Sequence, residues 1–516
     1  MAHLTMDTLA EPVVLPTAFS FDNSYARELA GFYVAQRPAI VRAPTLLYFN
    51  APLADELRLD LSPLDDQAKA ALFAGNTVPD GAEPIAQVYA GHQFGGFSPR
   101  LGDGRALLLG EVIDRNGVRR DIAFKGSGRT PFARGGDGKA AVGPMLREVL
   151  ISEAMHALRI PTTRALAVAA TGEQVLRENI LPGAVLTRVA ASHIRVGTFQ
   201  FFAARGDVEA VRKLAEYTIA RHDPDVAATA QPFLGLLRNV AKRQAALIAQ
   251  WMNVGFIHGV MNTDNMAISG ETIDYGPCAF MEAYDPATVF SSIDEQGRYA
   301  FGNQPDIACW NLARFAETLL PLLSNDRDEA IALATDVVAE LFPSSYRCHL
   351  LDGQRAKLGL QRRDGNHDAA DRALVDDWLA LLHAERVDFT LGWRRLADAA
   401  AGDESPLRSL FTNPDAPSAW LSRWRARCEH DDDAQDSKTS SLQRVERMRD
   451  VNPIVIPRNH RVEEALAAAS RNADMGPFVQ LLAAIQQPFV EMPERARYAE
   501  PAPADVTACY RTFCGT

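Results

Sequence analysis

The sequence predicts an α+β protein in which a small antiparallel sheet precedes a mostly helical region. Two observations predict this order. From Ala90 to Gly138 glycine is dense, and the apolar runs 105–113 and 120–125 flank Asn116-Gly117, the strongest short signal for a β-hairpin. After about residue 197, apolar residues recur at helical spacing in long amphipathic segments.

Each element follows from a local pattern. The hairpin places Lys125 at the end of its second strand. Apolar residues along one side of the segment after the hairpin predict a helix, and the short apolar runs that follow this helix predict further strands. The remaining predicted elements are a helix over 143–158, strands over 164–170 and 183–190 with a turn at Thr171-Gly172 between them, helices over 206–222, 231–256 and 305–323, and a polar surface loop over 428–441.

Bulk composition narrows the class of protein. The 516 residues are 47% hydrophobic with a net charge of −12, which argues against a nucleic-acid binder. No apolar run is long enough to span a membrane, and the start MAHLTMDTLAEPVV does not read as a secretory signal. Six scattered cysteines without a CxxC pair predict a reducing, cytoplasmic setting. The oligomeric state stays open, and a monomer is compatible with the sequence.

The strongest chemical signal is HGVMNTDN, residues 258–265, followed by DYG at 274–276. A helix leads into a loop with Asp264 and Asn265, and AISGETI can form a short hairpin that returns Asp274 beside them. Oxygen ligands that converge in this way suit a magnesium–triphosphate site. Asp264, next to a ligand, could accept a hydroxyl proton. The alternative is an Asx-rich turn.

Glycines and charged residues elsewhere could handle phosphate. Glycines let backbone N–H groups approach an anion, and a strand-end lysine or paired arginines neutralise it. The residues are Gly102, Gly104, Arg105, Lys125, Asp137, Glu148, Arg188 and Arg195, with Glu148 placed to pair with Lys125. Each group also has an ordinary alternative: a structural turn for the two glycines, an edge lysine for Lys125 and a solvated carboxylate for Glu148. Asp137 could cap a loop, and Arg188 and Arg195 could form interlobe salt bridges.

In this order the pieces resemble a protein-kinase-like two-lobed fold. Lys125 resembles the kinase strand lysine and Glu148 its helix partner, while HGVMNTDN resembles the catalytic loop and DYG the metal-binding D-F-G. His258 and Asn265 keep the kinase spacing, which places the catalytic aspartate at Val260. Valine cannot accept a proton, so ordinary phosphotransfer is disfavoured.

The full set of motifs resembles the selenoprotein O (YdiU) family, and the likeness spans nearly the whole chain. Members of that family are called pseudokinases, yet they transfer AMP from ATP to protein hydroxyls, with ATP flipped relative to kinases. The motifs are YAGHQFGGFSPRLGDGRALLLGEV, FKGSGRTPFARGGDGKAA, TRVAASHIRVGTFQFF, GVMNTDNMAISGETIDYGP, FGNQPDIACWNLARFAETL and VNPIVIPRNH.

The resemblance implies a role for each matching residue. Asp264 would be the proton acceptor, Asn265 and Asp274 would hold Mg²⁺ (or Mn²⁺), and Glu148 would pair with Lys125. ATP would be the co-substrate, and Ser, Thr or Tyr hydroxyls of proteins the acceptors. The nucleotide would be contacted by Gly102, Gly104, Arg105, Lys125, Asp137, Gly138, Arg188 and Arg195.

The resemblance also suggests four segments and leaves two other activities open. Cys514 matches a position where some members carry selenocysteine linked to redox state, although a terminal cysteine without a role is an equal reading. The alternative activities are a kinase with Asp264 as a displaced base and an ATP-binding scaffold without chemistry. The segments are an N-terminal extension packing on the core (1–80), a nucleotide-binding N-lobe (81–190), a helical C-lobe with the catalytic loop (191–400) and a C-terminal helical segment (401–516).

Overall fold

The computed structural model describes residues 18–361, 367–432 and 437–513. It is a mixed α and β protein, which confirms the predicted α+β class. The N-terminal stretch considered as a signal and Cys514 lie outside the described residues, so their interpretation stays a prediction.

Strands dominate between residues 33 and 190. Eight of them form one sheet, in the order β1-β3-β6-β7-β10-β9-β2 with β8 beside β10, and β4 and β5 form a separate hairpin. The strands are β1 (Tyr33–Ala35), β2 (Thr45–Phe49), β3 (Ile85–Gln87), β4 (Gly91–Gln93), β5 (Gly96–Ser98), β6 (Ala106–Ile113), β7 (Arg119–Lys125), β8 (Ala140–Ala141), β9 (Arg164–Leu176) and β10 (Ile180–Ala190).

The predicted hairpin is confirmed as β6 and β7. Their register runs from Ala106 opposite Lys125 to Ile113 opposite Arg119, so Asn116 and its neighbours form the turn. Lys125 therefore ends the second strand, as expected.

The predicted turn at Thr171-Gly172 is wrong. β9 continues through both residues to Leu176 and stays paired with β10, and the register shifts between Pro182 and Ala184 of the partner strand. Gly172 has a φ of 69°, which accommodates an irregularity in the strand rather than its end. The chain reverses later, between β9 and β10.

Helices cover both faces of the sheet: α1 (Ser24–Glu28), α2 (Ala51–Glu56), α3 (Asp66–Phe73) and α4 (Val142–Ala157). α2 and α3 are buried against one face together with Ile122 and Phe124 of β7. α4, the helix predicted over 143–158, packs on the other face with Ala184 and Leu186 of β10. Successive residues of a strand point to opposite faces, so Lys125 lies on the α4 face.

The rest of the chain is mostly helical, and the helices predicted over 206–222, 231–256 and 305–323 are confirmed. Strands β11 (Phe256–Ile257) and β12 (Ala279–Phe280) pair between two of them. No helix in the described ranges is long and apolar enough to span a membrane. The helices are α5 (Val196–Ala203), α6 (Val208–His222), α7 (Pro232–Val254), α8 (Gln304–Leu323), α9 (Arg327–Thr335), α10 (Phe342–Leu358), α11 (Asp368–Ala384), α12 (Phe389–Arg394), α13 (Leu396–Ala400), α14 (Ser405–Arg408), α15 (Ser418–Asp432), α16 (Ser437–Val451), α17 (Asn459–Asn472), α18 (Gly476–Ile485), α19 (Ala496–Ala499) and α20 (Ala504–Cys509).

The surface loop predicted over 428–441 is wrong where the structure describes it. Residues 428–432 form the last turn of α15, and 437–441 begin α16. Cys428 is buried in a helical core with Trp424 and Met448. Burial on one side of the helix outweighs the polar composition from which the loop was predicted.

Candidate active site

β7 and β10 place two cations on one face of the sheet. Lys125 pairs in register with Leu186. Arg188 lies two residues further along β10, so its side chain emerges on the same face. Both are buried, with relative exposures of 7% and 2%. Two buried cations so close together require carboxylate partners.

Those partners come from α4 and from the loop before β12. Lys125 Nζ donates to Glu148 Oε1 at 2.5 Å and also to Asp274 Oδ1. Arg188 Nη1 donates to the same Asp274 oxygen at 2.7 Å. Burial alone would raise the pKa of Asp274, but the charges of Lys125, Arg188 and Arg195 hold that pKa well below 3.8. Asp274 is therefore ionised at neutral pH.

The loop after β11 carries Asp264 and Asn265 and returns the chain to Asp274. Nε2 of His258 lies 2.9 Å from the carbonyl oxygen of the residue before Asp274, which ties the two ends of the loop together. Asn265 Nδ2 donates to the carbonyl of Val260 at 3.0 Å. With its amide nitrogen so engaged, the amide oxygen of Asn265 is the atom that can serve a ligand.

The hairpin predicted over 267–273 does not form. Ala267 forms a β-bridge with Arg195, and Thr272 forms one with Thr162. The two flanks therefore pair with other segments rather than with each other. These bridges attach the loop to the residues before α5 and before β9, and Asp274 still returns to the cations of the sheet.

Asp264 is an enclosed carboxylate. Gln93 Nε2 donates to its Oδ2 at 3.1 Å, whereas Oδ1 is buried without a hydrogen-bond partner among the described residues. Burial raises the pKa of Asp264 from 3.8 to about 6, although its hydrogen bonds and the charge of Arg195 act in the opposite direction. A carboxylate with this pKa is ionised near neutral pH and is a better proton acceptor than an exposed aspartate.

Two guanidinium groups have atoms without partners. Arg195 lies over the ring of Tyr89, 4.6 Å from its centroid, and its Nη1 is 3.8 Å from Asp103 Oδ1. Nε of Arg195 and Nη1 of Arg105 are buried without a hydrogen-bond partner in the part of the chain that is described. Both side chains also line the same cleft, so these free donors are placed to bind an anionic ligand there.

The glycines of RLGDGR are explained by packing. A Cβ on Gly102 would lie 2.4 Å from Cγ of Phe132, and one on Gly104 would lie 2.9 Å from the Phe132 carbonyl oxygen. Both contacts are too close for any residue but glycine. Close approach of the segment around Phe132, rather than of a phosphate, is therefore sufficient reason for these two glycines.

Asp137 and Gly138 shape the rim of the site. The two oxygens of Asp137 accept hydrogen bonds from Arg177, each at 3.0 Å. Gly138 has a φ of 70°, and a Cβ there would lie 2.2 Å from the carbonyl oxygen of Gly128. The acid is thus paired within the protein, while the glycine lets two backbone segments touch beside Lys125.

One cleft of about 1110 Å³ contains every residue predicted for the site. Its lining has ten Lys and Arg against six Asp and Glu, a balance of +4 in a chain whose net charge is −12. Such a local excess of positive charge favours a polyphosphate ligand. The predicted residues that line the cleft are Gly102, Gly104, Arg105, Lys125, Asp137, Gly138, Glu148, Arg188, Arg195, Asp264, Asn265 and Asp274.

Two residues that support the site were missed by the sequence reasoning. Gln93 contacts Asp264, and His193 accepts a hydrogen bond from Arg188 Nε at 3.3 Å. Nδ1 of His193 lies 2.9 Å from Asp121 Oδ2, and burial lowers the pKa of His193 to about 4, so the ring is neutral and can orient Arg188. Both residues lie inside motifs noted above, but no spacing rule marks a single Gln or His.

The oxygen donors of the cleft fit a hard divalent cation. Asp274 offers an ionised carboxylate and Asn265 an amide oxygen, and both line the cleft. No group of three or more His, Cys, Asp or Glu within the described ranges is arranged to hold a metal by itself. Mg²⁺ commonly uses one or two protein oxygens together with phosphate oxygens, so this donor set fits Mg²⁺ bound with a nucleotide.

Comparison with known proteins identifies the family of this chain. The family model described as Protein adenylyltransferase SelO matches residues 17–486. A Chromobacterium violaceum protein described as Protein nucleotidyltransferase YdiU is 61% identical over 480 residues, 93% of this chain and 98% of its own length. Proteins of the same description from Cereibacter sphaeroides and Rhizobium meliloti are 59% and 56% identical, covering 96% and 97% of this chain and all of their own length. The chain belongs to the SelO family of protein adenylyltransferases.

Proposed function

We propose that the protein transfers AMP from ATP to Ser, Thr or Tyr hydroxyls of proteins in this cleft, on a protein-kinase-like two-lobed core, and that it does so in the cytoplasm. Family membership makes it a protein nucleotidyltransferase. One observation carries the assignment of residues: the enclosed carboxylate of Asp264 lies in the same cleft as the cations, while the kinase base position holds Val260.

The cations of the cleft bind the triphosphate. Lys125 and Arg188 are already held by Asp274, and Arg105 and Arg195 have buried N–H groups without partners in the described chain. With ATP in the flipped orientation, these groups surround the β- and γ-phosphates, and the α-phosphate faces Asp264. Donors fixed before the reaction stabilise the charge that develops on the leaving pyrophosphate.

The reaction is a single displacement at the α-phosphorus. Asp264 takes the proton of the acceptor hydroxyl, and the acceptor oxygen forms a bond to the α-phosphorus as the bond from that phosphorus to the oxygen bridging to the β-phosphate breaks. The products are the AMP ester of the protein and pyrophosphate, and the proton passes from Asp264 to solvent. A Mg²⁺ or Mn²⁺ ion held by Asn265 and Asp274 would supply further charge neutralisation at the phosphate oxygens.

The test compares ATP labelled at the α-phosphate with ATP labelled at the γ-phosphate, with label measured on the protein itself and on a cell lysate. We expect label from the α position only. Asp264→Asn should lower transfer by about 10²-fold or more with ATP affinity retained, because it removes only the proton acceptor. Asp274→Asn should lower both the rate of transfer and the affinity for ATP. Asp225→Asn, a surface change outside the cleft, is the matched control.

Other outcomes assign other activities. Label from the γ position alone would make the protein a kinase that uses Asp264 as a displaced base. Measurable ATP binding without label from either position would leave only the scaffold.

A further inference from the structure

The hairpin of β4 and β5 is bound to the loop that carries Asp264. The backbone N–H of His92 donates to Thr263 Oγ1 at 2.7 Å. The N–H of Phe94 donates to Asn262 Oδ1 at 3.2 Å and to the Tyr299 hydroxyl at 3.1 Å. The hairpin is therefore positioned by the residues just before Asp264, on both sides of Gln93.

Phe94 lies in the turn of this hairpin. The loop between β4 and β5 has two residues, Phe94 with a φ of 51° and Gly95 with a φ of 83°, and the favoured two-residue hairpin turn requires positive φ at both positions. In this turn the backbone N–H of Phe94 donates to Asn262, and the preceding residue, Gln93, lines the cleft.

The hairpin encloses the carboxylate of Asp264 from two directions. Gln93 Nε2 donates to Oδ2 at 3.1 Å. On the other side the backbone of Gly91 lies against Oδ1, since a Cβ on Gly91 would be only 2.8 Å from that oxygen. A carboxylate free to rotate would exchange its two oxygens, and these two contacts prevent the exchange.

We propose that Gln93 is a positioning residue for AMP transfer, which holds Asp264 so that Oδ2 is the oxygen that receives the proton of the acceptor hydroxyl. This inference rests on the proposed function. Gln93 neither gains nor loses a proton in the step, because its amide only donates a hydrogen bond. Its hydrogen bond does not involve Lys125, Arg188 or Asp274, so its loss affects transfer and not the binding of ATP.

The first test is Gln93→Met, which keeps the length of the side chain but removes the donor, with Gln36→Met, outside the cleft, as the control. Transfer of α-label to the protein itself and to casein is measured together with the affinity for ATP and Mg²⁺ by calorimetry. We expect kcat to fall by about 10²-fold, the usual result of misplacing a reacting group by about 1 Å, with affinity for ATP unchanged. Gln93→Glu, which places a second carboxylate beside Asp264, should transfer less than Gln93→Met.

A second pair of variants perturbs the same carboxylate from its other side. Gly91→Ala should lower kcat without loss of ATP affinity, because its Cβ meets Oδ1 of Asp264. Gly96→Ala, on the same hairpin, is the matched control, since its Cβ would meet only the Gln93 carbonyl at an ordinary 3.5 Å.

Three results separate failure of this inference from failure of the proposed function. Gln93→Met that transfers as fast as wild type would overturn the inference alone. Loss of ATP affinity in proportion to transfer would show that Gln93 only supports the loop, which also overturns it. A wild-type protein that transfers no α-label would overturn the proposed function.

Discussion

Replacing Lys125 with methionine tests the charge arrangement at the centre of the cleft. Lys125 is the one cation that the described structure bonds to both Glu148 and Asp274. Asp274 keeps Arg188 when the lysine is lost, but Glu148 is only 4% exposed and loses the ammonium to which it is bonded. Removing one partner of a buried ion pair costs about 3–5 kcal/mol, so Lys125→Met should be destabilised by up to that amount.

A second substitution separates stability from function. In Lys125→Met/Glu148→Gln the unpaired carboxylate is replaced by a neutral amide, and replacing both members of a buried pair is often nearly neutral. We therefore expect the double variant to recover most of the lost stability. It should not recover ATP binding, because the cation proposed to meet the triphosphate is still absent.

Urea denaturation and ATP titration of the single and double variants measure both effects. Lys139→Met is the control for stability, since Lys139 pairs with Glu173 at 2.6 Å but is 37% exposed, and exposed pairs contribute about 0–1 kcal/mol. A double variant no more stable than Lys125→Met would refute the reasoning, because the cost would then not come from Glu148.

Two further predictions concern the surroundings of the site. Burial raises the pKa of Glu271 from 4.5 to about 7, so the folded state disfavours the ionised form, and stability is lost as the pH rises across that interval. Glu271→Gln should therefore raise the melting temperature more above pH 7 than near pH 4.5. The same difference in melting temperature between variant and wild type at both pH values would contradict this. Gly138→Ala should lower stability and ATP affinity more than Gly135→Ala. Both glycines have positive φ, which costs alanine about 1–2 kcal/mol, but only at 138 would the Cβ meet backbone, 2.2 Å from the Gly128 oxygen. Equal losses of melting temperature and of ATP affinity in the two variants would contradict this prediction.

Elements with strong local signals were predictable from the sequence. The Asn116-Gly117 turn, α4 and the long helices α6, α7 and α8 all follow from patterns within the segment itself. The failures occur where tertiary contacts outweigh local signals. At Thr171-Gly172 the pairing with β10 accommodates the glycine as an irregularity in the strand. The polar segment that begins at Cys428 is helical where the structure describes it, and Cys428 itself packs in a core.

The same distinction applies to the site. Residues of the main motifs could be named because their order and spacing match a known family, and the structure brings them into one cleft. Gln93 and His193 could not, because the role of each depends on a contact between distant segments: 171 residues separate Gln93 from Asp264, and 72 separate His193 from Asp121, which fixes the ring beside Arg188. Contacts of this kind are visible only after the chain has folded.

Val260 stands where the resemblance of HGVMNTDN to a kinase catalytic loop would place an aspartate. Its side chain is buried, with 8% exposure, and its hydrogen bonds in the site are made by its backbone. The N–H of Val260 donates to His258 Nδ1 at 3.3 Å, and its carbonyl accepts from Asn265 Nδ2 at 3.0 Å. These bonds fix the loop and leave the amide oxygen of Asn265 for a cation, whatever side chain stands at 260. An apolar side chain there suits a buried position, and in the proposed reaction the proton passes to Asp264, a carboxylate already enclosed and only four residues further along.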